Sequence, residues 1–356
     1  MATVVVNGVT RPLGRRVVER LADDPDVEGI VAVERDGAAV TSEDVRLVHA
    51  SALAAHRWEE LNGPIDVIVL AAADGPDRDG FTMGGVDLAT PAALLASLKD
   101  IAVRRVVVLS SAMVYGAWPD NPVPLTEEAV LRPNPGCRYA ADKAELERLA
   151  TEWAAARPTT HTVELTVLRP AITVDSDPAA VDWMERSLWR TPTARSGDPD
   201  PFAQFLHLDD LAAAVLHARR HGPSGATNVA PDGWMTTERQ VELVGRANRL
   251  RVPAAVAGRI ARFRWRSGTT STPPDIVAYT VHPWVVANDR IRGTGWIPTY
   301  TNDEAFIVAN REGWWSSLTA RRRQDVALGA LVAGVVVVAG SIGAAVRAVR
   351  QRSVVS

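Results

Sequence analysis

The chain has 356 residues, 47% apolar and 23% charged, with a formal net charge of −3, enough for one large globular domain or one and a half. A slightly acidic chain of this kind excludes general binding to nucleic acid. Its single cysteine, Cys137, excludes an internal disulfide framework and a cysteine-built zinc site, fits a reducing compartment, and leaves no metal site to expect.

Ala2 to Val6 is too short an apolar run for an export leader and lacks basic residues before it, and Thr3 to Asn7, short and β-branched, reads as a strand. Gly8-Val9-Thr10-Arg11-Pro12-Leu13-Gly14 follows, then a helical run from Arg15 to Leu21. Strand, glycine turn and helix open a dinucleotide-binding unit: Gly8 allows the tight turn, Gly14 lets helix and strand approach, and the helix N-terminus faces a pyrophosphate. Arg11 takes the middle place of a spacing in which glycine is expected, so its side chain either swings away from the phosphates or contacts them. A plain turn without ligand is the competing reading of these residues alone. The second strand, Ile30 to Val33, ends in Glu34, where an acid accepts hydrogen bonds from ribose hydroxyls and repels a 2′-phosphate. NAD is therefore expected over NADP, with Arg35 beside Glu34 leaving NADP open. A solvated strand-end carboxylate is the bland alternative.

Arg46 to His49, Asp66 to Leu70 and Arg105 to Ser110 read as further strands, separated by helical or loop stretches, which builds a parallel sheet with helices on both faces. Ala71-Ala72-Ala73, after the fourth strand, is small enough for a cofactor to lie against the backbone. The region from Pro119 to Pro135 holds five prolines and reads as a loop over the site. A helix then runs to about Arg157, with acids early and arginines late. It carries Tyr139 and Lys143, four residues apart and so on one face, where the ammonium favours the ionised phenol. A tyrosine becomes a usable acid/base that way. Lys99 and Lys143 are the two lysines among 39 basic residues. One of them thus survives where a compact ammonium is needed and an arginine fork would not imitate it. Cys137, two residues before Tyr139, reads as a small buried filler.

Val163 to Leu168 is another strand, ended by Arg169-Pro170. Beyond position 180 come eight of the 11 tryptophans, with many Pro and Arg, which suggests a smaller lobe. Phe205 to Leu211 starts a helix with Asp209 or Asp210 as cap, the region near 205–230 returns to the core, and Gly293 to Pro298 closes the lobe. Arg249, Arg251, Arg259, Arg262, Arg264 and Arg266 form a basic cluster that reads as a phosphate clamp, a membrane-surface patch or a solvated helix face. Ser267 to Asp275 reads as a lid. Val326 to Val346 is uncharged, flanked by Arg321-Arg322-Arg323 and by Arg347, Arg350 and Arg352. At about 1.5 Å per residue it matches one hydrocarbon core of about 30 Å, so a C-terminal transmembrane helix is expected.

Together, Ser110-Ser111-Ala112-Met113-Val114-Tyr115-Gly116, Tyr139-x-x-x-Lys143, Leu168-Arg169-Pro170, Leu206-His207-Leu208-Asp209-Asp210 and Gly295-Trp296-Ile297-Pro298 resemble an extended short-chain dehydrogenase/reductase of the NAD-dependent epimerase/dehydratase family, over Thr3 to about Trp315. The resemblance implies an α/β fold: a Rossmann-type doubly wound sheet over 1–170 and a substrate lobe over 171–318, ahead of the helix at 326–346. It implies Tyr139 as acid/base, Lys143 as its neighbour that also binds nicotinamide ribose, and Ser111 as the hydroxyl orienting the reacting group. Gly8, Arg11 and Gly14 would occupy the phosphate loop, Glu34 the ribose position, and Ala71 and Ala72 the cofactor groove. Asp87 stands where the family often has Asn, and Ser51-Ala52 lacks the usual adenine-contacting acid. The arginine-over-lysine usage resembles proteins of high-GC actinobacteria.

The activity so implied is Tyr-mediated proton transfer with hydride transfer to NAD at a hydroxyl of a nucleotide-sugar. Two other readings compete: a membrane-associated dehydrogenase of a lipophilic alcohol, and a nucleotide-binding scaffold without catalysis. Expected partners are a small-molecule substrate, a membrane through the C-terminal helix and, for assembly, a second copy of the chain. The catalytic part is expected in the cytoplasm.

Overall fold

The computed structural model describes residues 1–40, 45–61, 63–71, 73, 85–181, 184, 188, 202–244, 259, 262–263 and 274–310. Among them the β-branched runs form β1 (Ala2–Asn7), β2 (Val27–Glu34), β3 (Val45–His49), β4 (Ile65–Val69), β5 (Val103–Leu109) and β6 (Glu164–Pro170). Three more follow, β7 (Ile172–Val174), β8 (Phe205–His207) and β9 (Gly225–Val229). Seven of these pair in parallel in the order β3-β2-β1-β4-β5-β6-β9. The order reverses between β1 and β4, the place where an open α/β sheet leaves a crevice at its carboxyl edge. β7 and β8 pair separately.

Side-chain alternation explains why both faces are covered. Val4, Val6 and Ile68 point to one face, where they meet Val17 and Leu21 of α1 (Pro12–Ala22) and Leu211 and Val215 of α4 (Leu208–His221). Val5, Val67 and Val69 point to the other, against Leu94 of α2 (Ala89–Ser97) and Leu146 of α3 (Arg138–Ala155). Each fully buried side chain of this size contributes about 1.5–3 kcal/mol. The sheet is therefore the rigid floor of everything above it.

Several sequence expectations are corrected. α1 begins at Pro12 rather than Arg15 because proline's fixed φ suits a first helical position. α3 has no acid in its first turn and no base in its last, so packing rather than dipole complementarity holds it. The cap of α4 is His207, whose side chain accepts from Asp209 N at 3.2 Å. Asp209 and Asp210 lie in the first turn instead, and Asp210 accepts from Thr299 N at 2.8 Å and Tyr300 N at 2.9 Å, fastening the segment after Trp296 to α4. No helix among the described residues is long and apolar enough to cross a membrane. The expected span 326–346 and the lid before Pro274 lie outside the described residues, as does the basic cluster apart from Arg259 and Arg262.

Candidate active site

β1 ends at Asn7, and Gly8 follows at φ +90°, a conformation open to glycine at little cost. A Cβ on Gly14 would lie 2.0 Å from Gly8 O, so the first turn of α1 can pass this close to the strand end only with glycine there. Arg11 sits at the N-cap in extended backbone, and its carbonyl accepts the first helical bond, from Arg15 N at 2.9 Å. The first turn of α1 holds no acid. Its unpaired amides and dipole therefore present a positive end, suited to a phosphate.

Above this turn is a cavity of about 410 Å³ whose lining includes Asn7, Gly8, Arg11, Glu34, Arg35 and Asp87. Asn7 Nδ2 donates to Val33 O at 3.1 Å, while its buried Oδ1 has no hydrogen-bond partner among the described residues. Glu34 is buried, and its Oε1 accepts from Thr10 N at 2.9 Å. The carboxylate expected at the ribose thus braces the phosphate loop with one oxygen. Asp87 Oδ1 accepts from Ala89 N and Thr90 N at the start of α2, and its Oδ2 is 3.8 Å from Arg35. Asp36 was not singled out by sequence. It accepts from Ser51 N at 3.2 Å and Ser51 Oγ at 2.9 Å, so a carboxylate does stand beside the position where Ser51-Ala52 lacks one. Hydrogen bonds from the Ser51 hydroxyl and amide hold its pKa below the usual carboxylate range.

A second, narrower cavity continues from Gly8, Arg11 and Gly14 to Ser110, Tyr139 and Lys143. Tyr139 and Lys143 are both buried, at 2% and 1% exposure. They lie on the same side of α3, with Lys143 Nζ 5.7 Å from the Tyr139 ring centroid. Nζ donates to Ala71 O at 2.6 Å and Leu109 O at 2.9 Å, which ties α3 to the carboxyl ends of β4 and β5. Ala71 is thereby in the site; Ala72 lies outside the described residues. Ser111 is buried at the N-cap of a short 3₁₀ turn, Ala112–Tyr115, with its Oγ accepting from Met113 N at 3.2 Å.

Sequence reading missed the buried polar cluster beneath these residues. The Ser110 hydroxyl donates to Glu147 Oε1 at 2.5 Å, and Arg169 Nη2 to Glu147 Oε2 at 2.6 Å. Arg169 Nη1 reaches Tyr115 Oη at 2.8 Å, and that hydroxyl donates to Asn228 Oδ1 at 2.8 Å. Burial pushes the Tyr115 phenol up to about 12, although Arg169 works against the rise. The one available signal was helical spacing: Glu147 lies four residues after Lys143 and so on the same face. Among the described residues no group of three or more His, Cys, Asp or Glu could hold a metal ion.

The family model described as "NAD dependent epimerase/dehydratase family" matches residues 4–230. Uncharacterized proteins of Mycobacterium tuberculosis and Mycobacterium bovis are each 28% identical over 318 residues, covering 85% of this chain and 82% of theirs. Among solved structures, the UDP-glucose 4-epimerase of Thermus thermophilus in complex with NAD superposes with a TM-score of 0.60 at 18% identity, covering 86% of this chain and 97% of that one. The dTDP-glucose 4,6-dehydratase of Bacillus anthracis in complex with NAD gives 0.57 at 15% identity, covering 90% and 100%.

Proposed function

The chain belongs to the NAD dependent epimerase/dehydratase family, and on that footing we propose that it acts on a secondary hydroxyl of a nucleotide-sugar-like substrate with NAD as its cofactor. The observation that carries this is the pair Tyr139 and Lys143, buried side by side on α3 in a cavity that runs back to the glycine turn. The residues fit a dinucleotide: the first turn of the helix is free of acids, the glycine packing holds it against β1, and Asn7, which lines the larger cavity, has an Oδ1 with no partner among the described residues.

NAD, when bound, supplies a hydride acceptor that can return the hydride. The protein's part is proton handling. The Tyr139 phenol, with the Lys143 ammonium beside it favouring its ionised form, takes the proton of the substrate hydroxyl and later returns one. The Ser111 hydroxyl orients the oxygen on which charge changes. Lys143, fixed by two carbonyls, also holds the nicotinamide ribose. Gly8, Arg11 and Gly14 seat the pyrophosphate on the α1 terminus, and Glu34 meets the ribose of the adenosine. Residues 171–318, apart from α4 and β9, which belong to the main sheet and its covering layer, provide the substrate lobe. The relatives crystallised with NAD, among them the epimerase and the dehydratase above, support the choice of cofactor.

The test is Tyr139→Phe assayed with a panel of UDP- and dTDP-sugars, alongside calorimetric titration with NAD. Turnover is expected to vanish while NAD affinity stays within about twofold, since one phenol oxygen is lost from chemistry and little from binding. Full turnover in the variant would refute the assignment.

A further inference from the structure

Glu147 follows Lys143 by one helical turn, the spacing at which an ammonium and a carboxylate on one helix face can pair. In this chain each is engaged elsewhere. Lys143 Nζ donates to Ala71 O at 2.6 Å and Leu109 O at 2.9 Å. Glu147 receives Arg169 on both oxygens, Nε on Oε1 at 3.0 Å and Nη2 on Oε2 at 2.6 Å, and the Ser110 hydroxyl on Oε1 as well.

The difference bears on Tyr139. A carbonyl is a dipole and leaves an ammonium its full net charge, whereas a carboxylate in contact cancels most of that charge. A phenol is made acidic only by a neighbour whose charge is left to it. Arg169 is 6% exposed and stands on β6, the strand next to β5, where its fork fits a carboxylate bidentately. Its Nη1 donates to Tyr115 Oη at 2.8 Å and Glu127 O at 3.3 Å, so the guanidinium is fixed and Glu147 comes to it. The other charged and titratable groups around the pair are held apart from this exchange. Asp142 of α3 accepts from Val86 N at 2.9 Å and lies 3.4 Å from Arg138. Arg11 lines the far part of the narrow cavity. Beside the start of α3, Tyr279 Oη donates to Met113 O at 2.8 Å, and burial pushes its phenol up, with Cys137 adding to the rise.

We propose that Arg169 is a positioning residue for the acid/base pair: by taking both oxygens of Glu147 it keeps that carboxylate from Lys143 and offsets its charge, and so leaves the ammonium's field to Tyr139. This rests on the reading of Tyr139 as the acid/base and Lys143 as the neighbour that makes it one. Arg169 touches neither substrate nor cofactor; it acts through Glu147.

The experiment needs neither substrate nor cofactor. The full chain is titrated by the ultraviolet absorbance of phenolate, with circular dichroism at each pH to follow the fold. Every protein is paired with the same chain carrying Tyr139→Phe, so that among four tyrosines the difference between the two titrations gives the midpoint of Tyr139. Wild type is expected to show a midpoint below the ordinary phenol value of about 10. Arg169→Met is expected to move it up by about one pH unit, as the released carboxylate turns on Lys143. Arg169→Gln, which can still donate to Tyr115 and Glu127, is read in its place where the methionine chain does not fold. Adding Glu147→Gln to either variant is expected to return the midpoint to within about 0.3 pH unit of wild type, although that chain has lost more of the buried cluster. A midpoint unmoved in the single variants overturns the proposal. So does one that stays raised in the double variant, which marks a disturbed fold around Tyr139 rather than a released charge. A wild-type midpoint at or above about 10 sinks the acid/base reading and takes this one with it; a depressed wild-type midpoint that does not respond at position 169 counts against Arg169 alone.

Discussion

Glu147 accepts the Ser110 hydroxyl at 2.5 Å one helical turn from the point where Lys143 reaches Leu109 O. Two adjacent residues at the end of β5 are thus held by two residues on one face of α3. Arg169, at the end of β6, closes the triangle through Glu147. Both members of this ion pair are 6% exposed.

Removing one partner of such a pair leaves the other charge buried without compensation. Glu147→Ala is therefore expected to cost about 3–5 kcal/mol of unfolding free energy, and Ser110→Ala, which deletes a single hydrogen bond, about 1–2 kcal/mol. Urea denaturation followed by circular dichroism checks both. Equal, small losses would mean that the cluster is hydrated rather than closed.

The glycine turn gives a sharper steric prediction. A Cβ at position 14 would sit 2.0 Å from Gly8 O and 2.6 Å from Val9 Cα, both backbone atoms that cannot rotate aside. Gly14→Ala must push α1 away from β1, with an expected loss of about 3 kcal/mol or more and NAD binding lowered at least tenfold. Gly8→Ala meets Leu70 O at 2.8 Å and also forces φ +90° on an L residue, adding about 1–2 kcal/mol of backbone strain. Thermal melts and NAD titration of both variants read this. Wild-type affinity in Gly14→Ala would show that the helix terminus plays no part in holding the cofactor.

On the proposed reading, cofactor choice turns on Glu34. Its buried carboxylate braces Thr10 N at 2.9 Å and places negative charge where a 2′-phosphate would arrive. NAD is expected to bind at least tenfold more tightly than NADP in the wild type. Glu34→Gln should shrink that ratio by about tenfold by removing repulsion, while weakening NAD itself severalfold through the loosened loop. Parallel titrations with the two dinucleotides decide it. An unchanged ratio would hand the discrimination to Arg35, Asp36 or Asp87 instead.

What could be read in advance follows from where the information lies along the chain. Strand, glycine turn and helix over residues 2–22 are local, and so is the four-residue spacing of Tyr139 and Lys143; both are present in the structure. The Ser110–Glu147–Arg169 cluster joins β5, α3 and β6, and no single window of sequence contains it. The cap of α4 was misread for a related reason. Asp209 and Asp210 satisfy every local preference for a capping residue, yet His207 takes the place because Tyr300, from far along the chain, stacks on its ring at 4.0 Å. Tertiary packing overrode propensity there, and it released Asp210 to hold Thr299 and Tyr300.

That imidazole cap makes stability depend on pH. His207 Nδ1 accepts from Asp209 N at 3.2 Å, which only the neutral ring can do. Burial lowers its pKa below the ordinary histidine value; Asp209, Asp175 and Asp210 oppose that, and Arg16 reinforces it. With the folded pKa below the unfolded value of about 6.5, the unfolded chain binds more protons in this window, so stability is complete above about pH 6.5 and falls as pH drops below it. His56, His217 and His282 are lowered too, each chiefly by burial, and push in the same direction. His207→Asn isolates the contribution of the cap, because asparagine offers a side-chain acceptor that does not titrate. Unfolding free energy measured between about pH 8 and about pH 5 should fall less steeply in the variant, the difference between the two curves narrowing as acid is added. Parallel curves would mean that the His207 ring takes up a proton as readily in the folded chain as in the unfolded one, and that acid sensitivity resides in His56, His217 and His282.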